Sequence, residues 1–213
     1  MSRRIVVVTA GLTVPSSTRL LADQLAEATT AQVTARGEAV DIEFIELREV
    51  AGELATFMVT GGIPTPRLTE LREQVAAADG LIVVTPVFNG SYSGLFKMFF
   101  DVIEHGGLDG RPVLLAATGG TARHSLALEH ALRPLFSYLG ADTVRTAVYA
   151  ASEDWGQAGV PADGSLVQRI DRAAGELSRA MAARQPTPKR DPFSAPAPFE
   201  QMLRDIERPR QDG

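Results

Sequence analysis

The chain contains no cysteine, which removes disulfides, thiolate nucleophiles and cysteine-held metal centres at one stroke. That agrees with a reducing cytoplasm, the expected compartment. Its three histidines, His105, His124 and His130, show no HExxH spacing, so no metal site is expected. No apolar run reaches the roughly 18 residues a membrane helix needs, and the opening SRRIVVVTAG passes from charge directly into a strand pattern. A membrane or secretory protein is therefore not expected. With a net charge of −5 and no long basic run, nucleic acid is not an expected partner either. Two familiar phosphate loops are missing: there is no GxxxxGK followed by Ser or Thr, and no GxGxxG after the first strand pattern. Nucleoside triphosphatases and Rossmann dehydrogenases are disfavoured accordingly.

What is present is an ordinary globular composition, 213 residues with 45% hydrophobic and 22% charged. Short β-branched runs alternate with helical periodicities, the signature of parallel βαβ units. Strands are expected at 5–9, 42–47, 81–85, 113–118 and 144–149, and helices at 17–36, 67–78, 94–104, 125–139 and 165–184. Five strands joined by right-handed crossovers suit an α/β, flavodoxin-like three-layer sandwich, a five-stranded parallel sheet of order 2-1-3-4-5. Leu68, Leu71, Val75 and Ala78 form the inner stripe of the second helix, and Leu95, Met98, Phe99, Val102 and Ile103 that of the third. Phe96 and Phe100 fall off that stripe and predict surplus apolar surface, hence a homodimer or homotetramer. Leu128, Leu132, Leu135 and Leu139 line the fourth helix, with His130 at a subunit contact.

The segment 48–66, carrying Leu54, Phe57 and Met58, reads either as a lid or interface arm or as a short surface helix. One domain is expected over residues 1–185. Six of the thirteen prolines lie in 186–213, a tail expected to be extended or partly disordered. Within it, Phe199, Met202, Leu203 and Ile206 have the spacing of a short docking helix.

Three loops follow the first, third and fourth strands and share one edge of such a sheet. In the first, AGLTVPSSTR, Gly11 is followed by Ser16, Ser17 and Thr18, which offer hydroxyls beside the free amides of a helix start, with Arg19 adding charge. Taken alone, the same residues read more readily as a plain N-cap. The second runs PVFNGS, from Pro86 to Ser91, a turn between a buried strand and an amphipathic helix. The third, TGGTARH, places paired glycines where backbone can approach a flat ring. An anion joined to a planar group, such as flavin mononucleotide (FMN), fits all three.

Three blocks, AGLTVPSST, ADGLIVVTPVFNGSYSGLFKMFFD and ATGGTARHSLALEHALRPLFSYLGA, resemble the NAD(P)H-dependent FMN reductases. They are nearest to those serving two-component monooxygenases of the alkanesulfonate type. The resemblance implies FMN as cofactor or substrate, NADPH or NADH as electron donor, and a monooxygenase as possible partner. It implies that Ser16, Ser17 and Thr18 hold the phosphate. Pro86, Val87, Phe88, Asn89, Gly90 and Ser91 would border the flavin ring, with Thr118, Gly119, Gly120 and Thr121 at its other edge. Many relatives read GSxR where this chain reads GLT, leaving Arg19 as a substitute. Arg123 and His124 read either as nicotinamide-nucleotide contacts or as a solvated helix start, and Trp155 as a cover for the flavin or an interface plug. No catalytic side chain is expected, because hydride passes directly between nicotinamide and flavin. Lys97 and Asp101, four apart, read as a surface ion pair. A quinone, azo or chromate reductase and a flavodoxin-type carrier share the expected fold.

Overall fold

A computed structural model of the chain describes residues 2–104, 106–155 and 165–184. The proline-rich tail with its apolar stripe, the boundary at 185 and His105 lie outside the described residues.

Parallel strands β1 (Ser2–Thr9), β2 (Ala39–Glu46), β3 (Gly80–Phe88) and β5 (Pro112–Gly119) carry the β-branched runs, and a two-residue β4 (Ser91–Tyr92) folds back on β3. The sheet order is β2-β1-β3-β5, with β6 (Asp142–Thr143) and β7 (Val148–Ala151) both pairing to the outer side of β5. This is the flavodoxin-like order in five strand positions, built from seven strands. Helices α1 (Ser17–Thr34) and α6 (Ser165–Ala182) cover one face through Leu21, Leu25, Ile170 and Leu177. The other face is covered by α2 (Ala51–Val59), α3 (Pro66–Ala77), α4 (Gly94–Phe100) and α5 (Arg133–Tyr138). Both faces of the central strands are thus dry, which is why Ile5–Val8 and Leu81–Val84 are apolar at every position rather than alternately.

The fifth strand is not the continuous 144–149 that the sequence suggests. Between β6 and β7 the carbonyls of Val144 and Arg145 accept from the Arg133 guanidinium, and Thr146 gives its amide and hydroxyl to Glu176. Side chains take the backbone groups that a ladder would use, so the strand is interrupted. The helix expected at 125–139 is also broken up. A 3-10 turn at Ala122–His124 leads to a π-helical turn at Leu128–Leu132, where the Arg133 amide donates to Leu128 O, and only then to α5. Pro134 has no amide with which to resume the i−4 ladder at once. As a result Phe136, not Leu135, is the fully buried residue of that helix.

The stripe expected on the third predicted helix is likewise rotated. α4 ends at Phe100, and Phe96, Phe99 and Phe100 are all buried while Leu95 and Met98 are only partly so. Phe96 and Phe100 meet Phe136 with ring centroids at 6.1 and 4.7 Å, so they are core and not surplus surface. The case for an oligomer cannot rest on them. Segment 48–66 resolves as the surface-helix reading: α2 packs on its own domain through the buried Leu54, with Phe57 partly buried against the core. Lys97 and Asp101 form the expected surface ion pair. Among the described residues, no helix is long and apolar enough to cross a membrane.

Arg3 ties β1 to two distant segments, donating twice to Glu38 at 2.9 Å and once to the carbonyl of Arg184 at 3.1 Å. The hydrogen bond from Arg3 holds the Glu38 carboxyl below the usual glutamate range. A carboxylate lowered in the folded state contributes stability above its ordinary range and loses it as pH falls through the depressed value. Glu38→Gln should therefore flatten the acid side of a melting-temperature profile against pH; an acid limb as steep as the wild type's would refute this.

Candidate functional site

The three loops leave the sheet on one side. Thr9 pairs with Val84, Thr85 with Ala117 and Gly119 with Ala151, so β1, β3, β5 and β7 all end at one carboxyl edge of the sheet, staggered by only a few residues. In open parallel sheets, this edge is where ligands bind. Each of the three central strands carries a buried threonine toward its carboxyl end, Thr9, Thr85 or Thr118.

In the first loop, Ser16 takes the N-cap of α1, its hydroxyl accepting from the Arg19 amide at 3.3 Å, and Gly11 is buried against the Ser16 side chain. The N-cap reading is thus seen directly, and a cap serves one first-turn amide while leaving others. Among the described residues, the amides of Ser17 and Thr18 and the exposed Ser17 hydroxyl have no protein partner. Thr18 differs from the expectation: it is buried, and its hydroxyl lies 2.8 Å from that of Thr118. It can offer an anion its amide but not a free hydroxyl. Arg19 also differs, since its guanidinium is held by Asp23 and Glu46 and stacks over Phe44 at 4.0 Å. Its charge is already matched by carboxylates.

The second loop is a two-residue hairpin. Phe88 pairs with Ser91, and Asn89 and Gly90 between them have φ of 51° and 82°. Positive φ at both central residues is the type I′ turn that Asn-Gly favours. Thr85 anchors its root, accepting from the Ser93 amide at 3.1 Å and donating to Pro86 O at 3.0 Å. Ser93 in turn caps α4 through the Phe96 amide. Pro86 and Val87 are half-buried, and Phe88, Asn89 and Gly90 stand exposed at the edge.

The third loop carries Gly119, Gly120 and Thr121 into the 3-10 turn that bears Arg123 and His124, both exposed. A Cβ at Gly120 would meet no atom within 4 Å. At Gly119 it would overlap the hydroxyl of Tyr149, which donates to Thr121 O at 2.9 Å. His130 is exposed on the π-helical turn. Trp155 packs partly buried against the α1/α6 core.

A phosphate-bearing planar ligand fits this edge. The first loop supplies unpaired amides and a hydroxyl at a helix start, the other two leave room beside exposed backbone, and the buried Thr9 hydroxyl has no partner among the described residues. Among the described residues, no cluster of three or more His, Asp or Glu could hold a metal ion.

The model of a family described as NADPH-dependent FMN reductase matches residues 3–156, and so spans all three loops. The chain belongs to that family. This FMN reductase is 40% identical over 154 residues to the FMN reductase (NADPH) of Pseudomonas aeruginosa, covering 71% of the chain and 78% of the relative. It is 36% identical over 169 residues to the NADH-dependent FMN reductase SfnF of Pseudomonas putida, covering 78% and 88%. Among solved structures, an oxidoreductase from Corynebacterium diphtheriae superposes with a TM-score of 0.81 at 48% identity, covering 86% of this chain and 99% of that one. The chain is thus an oxidoreductase that uses FMN and a reduced nicotinamide donor.

Sequence reasoning placed the three loops but missed how they are tied together. The Thr18–Thr118 pair and the Tyr149 hydroxyl each join segments far apart in the chain. The threonine toward the carboxyl end of each of the three strands was the one visible signal.

Proposed function

We propose that FMN lies across the three loops and that this reductase passes its reduced flavin to a separate monooxygenase. What supports the arrangement is the shared carboxyl edge of the strands, with unpaired amides at its β1 end and exposed backbone at its β3 and β5 ends. Bound there, FMN accepts hydride from a reduced nicotinamide, chemistry that no side chain of the chain supplies.

In this reading the Ser17 and Thr18 amides and the Ser16 and Ser17 hydroxyls receive the phosphate, while Arg19 stays with its carboxylates. The type I′ hairpin, Pro86 to Ser91, walls one side of the ring and holds it at a fixed distance for transfer. Backbone amides of Gly119 to Thr121 donate to the ring's polar edge and favour the extra negative charge of its reduced form. Arg123 and His124, exposed beside that loop, meet the nicotinamide nucleotide. The two relatives differ in donor, NADPH for the Pseudomonas aeruginosa enzyme and NADH for SfnF, so both are assigned as substrates. A cytoplasmic homo-oligomer is proposed as the working form. Its support is the exposed apolar surface of Leu126, just before the π-helical turn, and Tyr138, at the end of α5, 62% and 71% exposed.

Steady-state oxidation of NADPH and of NADH, with free FMN or a quinone as sole acceptor, tests the reading. FMN should accelerate oxidation at least as well as quinone, and sedimentation at micromolar concentration should show more than a monomer. Acceleration by quinone without acceleration by FMN would instead assign a bound-FMN quinone reductase.

A further inference from the structure

We infer that Tyr149 is a positioning residue for the flavin-edge loop, fixing Gly119 to Thr121 through its hydroxyl and linking that loop to α6 through Arg169. The inference rests on the proposed placement of FMN against this loop. Tyr149 lies on β7, opposite Ala117, and its ring is 7% exposed beneath the loop. Its hydroxyl donates to Thr121 O at 2.9 Å, two residues beyond the strand end, where no sheet partner constrains the chain. The absence of a side chain at Gly119 is what lets the phenol reach that carbonyl. A tyrosine serving only as core would not need a glycine cleared for its hydroxyl.

The other end of the residue is held as firmly. Arg169 on α6 donates to Tyr149 O at 3.2 Å and to Asp154 Oδ1 at 2.8 Å, and Asp154 Oδ2 accepts from the Ala151 amide at 2.8 Å. The chain of contacts runs from α6, through the turn after β7, into the loop that presents its amides to the ring. Burial, followed by the nearby Asp154 and Glu153, pushes the phenol upward, so it stays protonated and remains a donor across the working range. Held in this way, the loop amides need little reordering when a ligand arrives, which is where a positioning residue acts on affinity.

Tyr149→Phe keeps the ring and removes only the hydroxyl. Loss of one neutral hydrogen bond predicts about a tenfold rise in the FMN dissociation constant, read by quenching of flavin fluorescence. The KM for FMN should rise in parallel while kcat changes by less than about twofold. The visible spectrum of bound flavin should shift, and lumiflavin, which carries the ring without the phosphate, should lose affinity by the same factor. Arg169→Gln, acting from α6, should weaken FMN in the same direction. Folded Tyr149→Phe and Arg169→Gln proteins that bind FMN as the wild type does would overturn the inference and leave the flavin site intact. Wild-type protein that binds no flavin would overturn the placement of FMN, and this inference with it.

Discussion

Phe100→Ala should lower the melting temperature by about 6 to 20 °C, whereas Leu95→Ala should lower it by only about 2 to 4 °C. A fully buried phenylalanine truncated to alanine costs about 3–5 kcal/mol, and each kcal/mol moves the midpoint of a chain this size by about 2–4 °C. Phe100 is 1% exposed and touches Phe96, Phe99 and Phe136. Little of the surrounding packing can collapse into the space it leaves, since three of its neighbours are rigid rings. Leu95 is only partly buried, so it forfeits less transfer energy than a core leucine and leaves a smaller void. The helical stripe that includes Leu95 and omits Phe100 would order the two variants the other way. Calorimetry of both proteins decides between the two orientations of α4, and equal losses would refute the one described.

Gly119→Ala should lower the melting temperature by about 2 to 12 °C and weaken FMN by about tenfold or more. The added Cβ overlaps the Tyr149 hydroxyl and stands 3.0 Å from Cζ, against a ring confined in the core. Overpacking of this sort costs about 1–3 kcal/mol, more than the backbone entropy an alanine recovers in a strand. Either the ring or the loop must move, and the Tyr149 bond to Thr121 O is lost in both cases. Gly120→Ala, whose Cβ meets no protein atom, should melt as the wild type does. Adding Tyr149→Phe to Gly119→Ala removes the overlapping atom and should restore part of the lost stability, a coupling that a double-mutant cycle measures. Additive losses in that cycle would show that the two residues do not meet.

The three loops at the strand ends were readable because each is announced by local chemistry. Asn89 and Gly90 specify a type I′ turn wherever two strands flank them, and Ser16 before a helical period specifies a cap. Roles inside the loops were less legible. Ser16, Ser17 and Thr18 look interchangeable as hydroxyl donors, yet one caps α1, one is exposed and one is buried against Thr118. Arg19 looked free to meet a phosphate, but Glu46, 27 residues away at the end of β2, had not yet been brought beside it.

From the sequence alone came the order of strands and helices, the flavodoxin-like topology, the family and the three loops that share one sheet edge. These follow from periodicities and turn residues that act within a few positions of one another. The tertiary structure alone decided that Phe96 and Phe100 face inward, that the fifth strand breaks between Thr143 and Val148, and that Tyr149 holds the Gly119 loop. Each depends on a partner supplied from elsewhere in the chain: Phe136 for the rings, Arg133 and Glu176 for the break, Thr121 for the phenol. Periodicity shows that a residue is apolar or polar, but only packing determines which group it meets.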